Sequence, residues 1–234
     1  MVKDKDLSRF VSGIIVAAGR GTRMGSISKP LIKLGKKTVF EHVLSAFFNS
    51  CVDEIIVVCN DKNAFLPYIS EWKKPIIFAE GGRTRALSVY NGVAATKKES
   101  ELVCIHDCAR PFVTGEIIDK VVAEAAKIGA ATASHAVTDT IKYVNKEANT
   151  YYIPERKYLF AVQTPQAFTK NIYTVSFALA QKQKLSATDE TGMAENAGFT
   201  VGYVETPSIN IKLTTPEDIK IAKALLFLKG RNEI

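Results

Sequence analysis

GIIVAAGRGTRMGSISKP, residues 13–30, empties a short apolar run into a loop of small, glycine and basic residues. Ile14, Ile15 and Val16 read as a buried strand. Ala17, Ala18, Gly19 and Gly21 carry no side chain that would hold a ligand away from the backbone amides. Arg20, Arg23 and Lys29 then add positive charge over a short span, directed at whatever those amides hold. The ligand expected here is an anion, and a phosphate fits best.

The spacing argues against two familiar phosphate loops. A Walker loop needs Gly-Lys followed by Ser or Thr, whereas Lys29 is followed by Pro30. A dinucleotide fingerprint needs a third glycine where this chain has Met24, with Gly25 one residue late. A plain glycine turn flanked by solvated arginines would use the same residues, so the rest of the chain has to decide.

Working outward, the apolar pattern alternates between helix and strand. Val39, Phe40, Val43, Leu44, Phe47 and Phe48 recur at helical spacing, and the run from Ile55 to Val58 is short and β-branched. Strand, helix and strand follow at 75–78, 86–95 and 102–106. Thr114 is placed to cap a helix running to Ile128 and closed by Gly129. Such alternation implies an α/β fold, a Rossmann-like and mostly parallel sheet with helices on both faces. Ligands of such sheets lie beyond the carboxyl ends of the strands.

Residues 139–155 break the rhythm. Thr140–Val144 and Thr150–Ile153 are strand-like around a polar loop, and Tyr143, Tyr151 and Tyr152 make this hairpin unusually aromatic. A two-stranded arm is marginal alone, so it packs either on a partner or over its own domain. Near the C-terminus, Ile209, Ile211 and Leu213 are expected to point one way in a strand, with Asn210 and Lys212 on the other face. Thr215 and Pro216 then start a last helix whose first turn carries Glu217 and Asp218.

The chain has 234 residues, 47% of them hydrophobic, enough for one substantial core. Its net charge of +7 and isoelectric point near 9.1 would suit nucleic acid. Yet the lysines are scattered and no basic block with interleaved aromatics occurs, so small phosphorylated substrates are expected instead and nucleic acid is not. Cys51, Cys59, Cys104 and Cys108 form no CxxC pair and have no flanking histidines, which points to reduced, mostly buried thiols. The charged start, MVKDKDLSRF, and the short apolar run after it suit neither a signal peptide nor a membrane span, so a cytoplasmic protein is expected.

Two further segments carry chemistry. GGRTRALSV, 81–89, joins a strand to a helix; backbone groups at Gly81 and Gly82 are suited to reading a base edge, with Ser88 one turn inside. A Gly-Gly turn before an ordinary helix is the plainer alternative. IHDCARP, 105–111, follows a strand. Asp107 there could hold magnesium or order a substrate hydroxyl, and Arg110 could pair with phosphate, or the two could pair with each other. His106 is given no role.

Taken together, AAGRGTRMG, GGRTRALSV, HDCARPFV, DTIK, QTPQAF, ATDE and NIKLTTPEDI resemble the 2-C-methyl-D-erythritol 4-phosphate cytidylyltransferases of the non-mevalonate isoprenoid pathway, and the related ribitol-5-phosphate cytidylyltransferases. The motifs stand in that family's order over almost the whole chain. The resemblance implies a single nucleotidyltransferase domain over 1–234, with a dimerisation arm at about 139–160. It implies CTP and a polyol phosphate as substrates and Mg²⁺ as cofactor, bridged mainly by CTP phosphates, with Asp107 a possible ligand.

Residue by residue, the resemblance matches Ala17, Ala18, Gly19, Gly21, Arg23 and Lys29 to the triphosphate site, and Gly81, Gly82 and Ser88 to cytidine-contacting positions. Asp107, Arg110, Thr164 and Lys212 match the surroundings of the second substrate, and Thr140 and Arg156 match arm positions that complete a neighbouring subunit's site. Arg23, Lys29 and Lys212 are the expected catalytic cations. The chain departs from the family pattern at Ser28-Lys29-Pro30, where proline-lysine-glutamine is common, at Cys108 for a usual alanine, and at Arg83. Ribitol 5-phosphate as acceptor, a nucleotide-dependent oxidoreductase and a non-catalytic nucleotide sensor stay open. Against the oxidoreductase, Cys59 and Asn60, not an acid, end the second strand.

Overall fold

The computed structural model describes residues 9–19, 28–185 and 188–230. In chain order its elements are β1 (Phe10–Val16), β2 (Lys33–Leu34), β3 (Lys37–Thr38), α1 (Val39–Phe48), β4 (Glu54–Cys59), β5 (Ile76–Glu80), α2 (Arg85–Ala94), β6 (Ser100–Asp107), α3 (Gly115–Ile128), β7 (Ala130–Ala136), β8 (Tyr143–Asn145), β9 (Thr150–Tyr152), β10 (Phe160–Thr169), α4 (Lys170–Gln183), α5 (Glu190–Asn196), β11 (Gly202–Glu205) and α6 (Pro216–Gly230).

Seven strands form one sheet in the order β11-β7-β10-β6-β1-β4-β5. β1, β4, β5 and β6 run parallel, as do β7 and β11, while β10 is antiparallel to both its neighbours. The mostly parallel sheet read from sequence is present. Its strands alternate between two apolar layers. Ile15, Ile55, Val57, Leu102 and Cys104 face a core shared with α1 and α3. Ile14, Ile56, Val58, Val103 and Ile105 face one shared with α2, α4 and α5. Because both faces are covered, β4 is buried at all six positions, which is why Ile55 to Val58 read as a continuous apolar run.

Local signals set the helix ends. Thr38 and Glu41 make a reciprocal capping box on α1. Thr114 accepts the Ile117 amide at the start of α3, and Gly129 closes that helix with φ of 103°, a left-handed conformation that favours glycine.

Two segments differ from their sequence reading. The hairpin exists, but its paired strands are only β8 and β9, three residues each. Residues 209–213 form no strand. The Ile211 amide bonds to the Ile209 carbonyl and the Asn210 amide to that of Pro207, local turns in place of a ladder. Asn210 is fully buried, contrary to the expected alternation. Its side-chain amide is drawn inward by two buried acceptors, the Gln163 Oε1 and the Thr164 carbonyl, each at 2.9 Å.

Candidate active site

The parallel register brings the carboxyl ends of β1, β4, β5 and β6 to one rim, with Val16 opposite Val58 and Asp107, and Cys59 opposite Glu80. The chain runs from β1 out to β4 and β5, then crosses back to β6 on the other side of β1. That reversal opens a crevice at the end of β1, the usual ligand position in such sheets. A cleft of about 820 Å³ lies there.

Of the residues singled out from sequence, Ala18, Gly19, Lys29, Gly81, Gly82, Ser88, Asp107 and Lys212 line this cleft. Ala17 lines an adjoining hollow of about 440 Å³. Gly21 and Arg23 fall outside the described residues. Arg110 and Thr164 stand behind the wall. Thr140 and Arg156 lie on the exposed arm, where Arg156 Nη1 donates to the Thr138 carbonyl at 2.9 Å.

The two glycine segments are tied to each other. Asn60 Nδ2 donates to the Ala18 carbonyl at 2.9 Å, fixing the turn after β1 against the end of β4. The Gly82 amide donates to Ser88 Oγ at 2.9 Å, and that hydroxyl donates to the Thr84 carbonyl at 3.0 Å. Ser88 thus spends its hydroxyl on shaping the Gly81–Gly82 loop and is only 4% exposed. A Cβ on Gly82 would sit 2.5 Å from the Leu87 Cβ and 2.9 Å from the Ser88 nitrogen, so the loop packs on its own helix only because no side chain intervenes.

Lysines 183 positions apart in sequence meet at the mouth. Lys29 begins a single helical turn, Lys29–Leu31, anchored by buried Pro30. Its Nζ donates to the carbonyls of Leu213 and Thr214 at 3.2 and 3.3 Å, the two residues after Lys212. Lys212 in turn is gripped between fully buried Asn210 and Leu213, and the Leu213 amide donates to the Ala109 carbonyl at 2.8 Å.

Asp107 is the anionic hub. Its Oδ1 accepts from Arg85 Nε and Nη2, each at 2.9 Å, and its Oδ2 accepts from Lys212 Nζ at 2.5 Å. Burial alone would raise its carboxyl, but the Arg85 and Lys212 charges overcome this and hold it well below the usual carboxylate range. Asp107 therefore does not pair with Arg110, which instead donates from Nη1 to the Asn210 carbonyl at 2.9 Å. The same occupancy bears on a metal: both Asp107 oxygens already face cations, and no cluster of three or more His, Cys, Asp or Glu side chains that could hold a metal occurs among the described residues.

Behind the wall runs a hydrogen-bonded line. The Asp107 amide donates to Thr164 Oγ1 at 3.1 Å, the Thr164 hydroxyl donates to His106 Nδ1 at 3.0 Å, and His106 Nε2 donates to the Arg110 carbonyl at 3.1 Å. A carbonyl only accepts, so Nε2 carries the proton and Nδ1 is the acceptor. Burial lowers the His106 pKa from 6.5 to about 4, keeping the ring neutral. Thr164, with its hydroxyl so committed, braces the Asp107 turn.

The four cysteines are free, and burial first of all raises their thiols, Cys59 to about 11 and Cys51 to about 12. None is an activated nucleophile. Sequence reasoning gave no role to His106, Arg85, Glu190 or Asn210. Arg85 and Glu190 lie inside motifs quoted above, but a contact across 105 positions leaves no local signature.

The family model IspD, 2-C-methyl-D-erythritol 4-phosphate cytidylyltransferase, matches residues 11–227. A relative of that name from Caldanaerobacter subterraneus subsp. tengcongensis is 39% identical over 94% of this chain and 99% of its own length. Another from Clostridioides difficile is 38% identical over 95% and 96%. Among solved structures, 4-diphosphocytidyl-2C-methyl-D-erythritol synthase from Anaerococcus prevotii superposes with a TM-score of 0.85 at 31% identity, covering 94% of this chain and 99% of that one. The 2-C-methyl-D-erythritol 4-phosphate cytidylyltransferase of Thermus thermophilus gives 0.74 at 31% identity, covering 92% and 98%.

Proposed function

The chain belongs to the 2-C-methyl-D-erythritol 4-phosphate cytidylyltransferase family, and on that premise we propose that it joins CTP to 2-C-methyl-D-erythritol 4-phosphate, giving 4-diphosphocytidyl-2-C-methyl-D-erythritol and pyrophosphate for isoprenoid precursor synthesis. The observation that carries the reading is the meeting of Lys29 and Lys212 at one cleft floored by bare backbone. At about 820 Å³ that cleft lies within the range of about 300–1,000 Å³ usual for small-molecule sites.

The nucleophile needs no base. A phosphate monoester has its second pKa at about 6, so it is largely dianionic at neutral pH. One of its oxygens attacks the α-phosphorus of CTP; the bond from that phosphorus to the bridging oxygen breaks, and pyrophosphate leaves with the electron pair. What the protein supplies is positive charge that lets two anions approach, fixed in advance where charge gathers in the transition state. Lys29 and Lys212 do this, with Arg23 as a third cation. Ala17, Ala18, Gly19 and Gly21 present amides to the phosphates, and Gly81, Gly82 and the Ser88-braced loop read the base. Asp107, Arg110 and Thr164 shape the acceptor side. Mg²⁺ would be held mainly by the CTP phosphates, with Asp107 the candidate protein ligand, and would supply neutralisation of phosphate charge.

The 139–160 arm is the contact between two copies of the chain in a homodimer, with Thr140 and Arg156 completing the neighbour's site. In support, Tyr151 is 79% exposed, Ile153 60% and Val144 58%, an apolar surface that a monomer leaves in water. The enzyme is assigned to the cytoplasm on its four free thiols. No helix among the described residues is long and apolar enough to cross a membrane.

Pyrophosphate release, followed with CTP, UTP, ATP and GTP against both methylerythritol phosphate and ribitol 5-phosphate, tests the reading. Turnover is expected with CTP and methylerythritol phosphate alone. Preference for ribitol phosphate would overturn the acceptor, and CTP binding without turnover would make the chain a nucleotide sensor.

A further inference from the structure

Arg85 lies in the cleft wall, and its guanidinium is taken up by two carboxylates. Nη1 donates to both oxygens of Glu190, at 2.8 and 2.7 Å, while Nε and Nη2 turn to Asp107 Oδ1. Glu190 is 1% exposed and touches no open space, so it cannot itself meet a substrate. It stands in the first turn of α5, whose cap Asp189 accepts from the Gly192 amide at 3.0 Å and from Gln166 Nε2 of β10 at 2.7 Å. The buried carboxylate is thus fixed from behind and grips a planar guanidinium by one edge. The other edge of that plane holds Asp107, whose second oxygen holds Lys212.

We propose that Glu190 and Arg85 are positioning residues for the transfer reaction: Glu190 aims Arg85 at Asp107, and Asp107, so braced, aims the Lys212 ammonium over the nucleotide phosphates. The proposal rests on the cleft being the CTP site. The four charges alternate in sign and sum to zero, so the brace adds no field of its own. What it adds is direction. Lys212 is a flexible side chain, 40% exposed, with four carbons between backbone and charge. Unanchored, it spends only part of its time over the phosphates. Without the Glu190 carboxylate the Nη1 donors of Arg85 are released as well, and they compete with Lys212 for Asp107.

A purely structural salt bridge between α2 and α5 predicts a different pattern, and a double-mutant cycle separates the two. Glu190→Gln, Lys212→Ala and the double variant are compared with wild type for CTP affinity by calorimetry and for single-turnover product formation, with thermal melting as the check on folding. Glu190→Gln is expected to slow the single turnover by about tenfold and weaken CTP by about threefold. In the Lys212→Ala background the same substitution is expected to change either quantity by less than about twofold, because the side chain it aims is gone. Losses that multiply, or a Glu190→Gln rate within about twofold of wild type, overturn the proposal. Should Glu190→Gln fail to fold, Arg85→Lys, which keeps the charge but loses the two-edged plane, goes through the same cycle. Wild-type turnover with CTP is measured first: its absence sinks the function itself, whereas turnover with multiplying losses sinks only the brace.

Discussion

Lowering the pH from 7 to 5 should destabilise this protein through one buried imidazole. His106 is wholly enclosed, donates from Nε2 to the Arg110 carbonyl and accepts at Nδ1 from Thr164. Burial takes its pKa from 6.5 down to about 4, outweighing the opposing pull of that carbonyl and of Asp107, while Arg110 and Arg85 add to the lowering. The folded value lies below the unfolded one, so as pH falls the unfolded chain takes up the proton first. Stability is therefore complete above 6.5 and is lost progressively toward 4. Each pH unit in that window is worth about 1.4 kcal/mol, so the stretch from 6.5 to 5 removes about 2 kcal/mol. For a chain of this size that corresponds to a fall of roughly 4–8 °C in melting temperature. Denaturant unfolding of wild type and of His106→Gln, which keeps a donor toward Arg110 but does not titrate, should be followed in parallel across this range. The difference between the two curves isolates His106 from the carboxylates. Wild type should lose about 2 kcal/mol more than the variant; parallel curves would refute a neutral, buried His106.

Lys29→Ala and Lys212→Ala should each lower turnover by at least about tenfold, since oriented charges in such sites contribute several kcal/mol; steady-state rates near wild type in both would reject the electrostatic mechanism. Gly82→Ala puts a methyl 2.5 Å from the Leu87 Cβ and 2.8 Å from its carbonyl carbon, so the loop must shift at a cost of about 1–3 kcal/mol. CTP titration should show KM raised about tenfold, and an unchanged KM would mean that this loop does not meet the base. Replacing exposed Tyr151 and Tyr152 by Asp should convert a dimer into monomers in sedimentation runs, and a monomeric wild type would remove the arm's assigned role.

Much of the architecture was legible because it is written in local terms. β4 is buried on both faces, so Ile55–Val58 appear as an unbroken apolar run, shorter apolar runs mark β1 and β6, and α1 and α3 carry their caps at Thr38, Thr114 and Gly129. The cleft-forming loops were legible for a related reason: close approach of backbone to ligand requires residues without bulk, and Ala17–Gly19 and Gly81–Gly82 supply them. The antiparallel setting of β10 was not legible, since its register comes from β6 and β7 and not from its own residues. The segment 209–213 misled for a similar reason. Its alternation of apolar and polar residues suits a strand, but Asn210 turns inward because two buried acceptors, contributed by β10, await it.

Which residues are small, which are charged and where helices begin and end can be read along the chain, because those properties act over one turn or one strand. Which of them meet is settled by folding. Lys29 found the carbonyls beyond Lys212, Arg85 found both Asp107 and Glu190, and Thr164 closed on His106. A buried charge or hydroxyl is tolerable only when paired, and the partner comes from whichever strand the sheet brings alongside, at a separation in sequence that nothing local records.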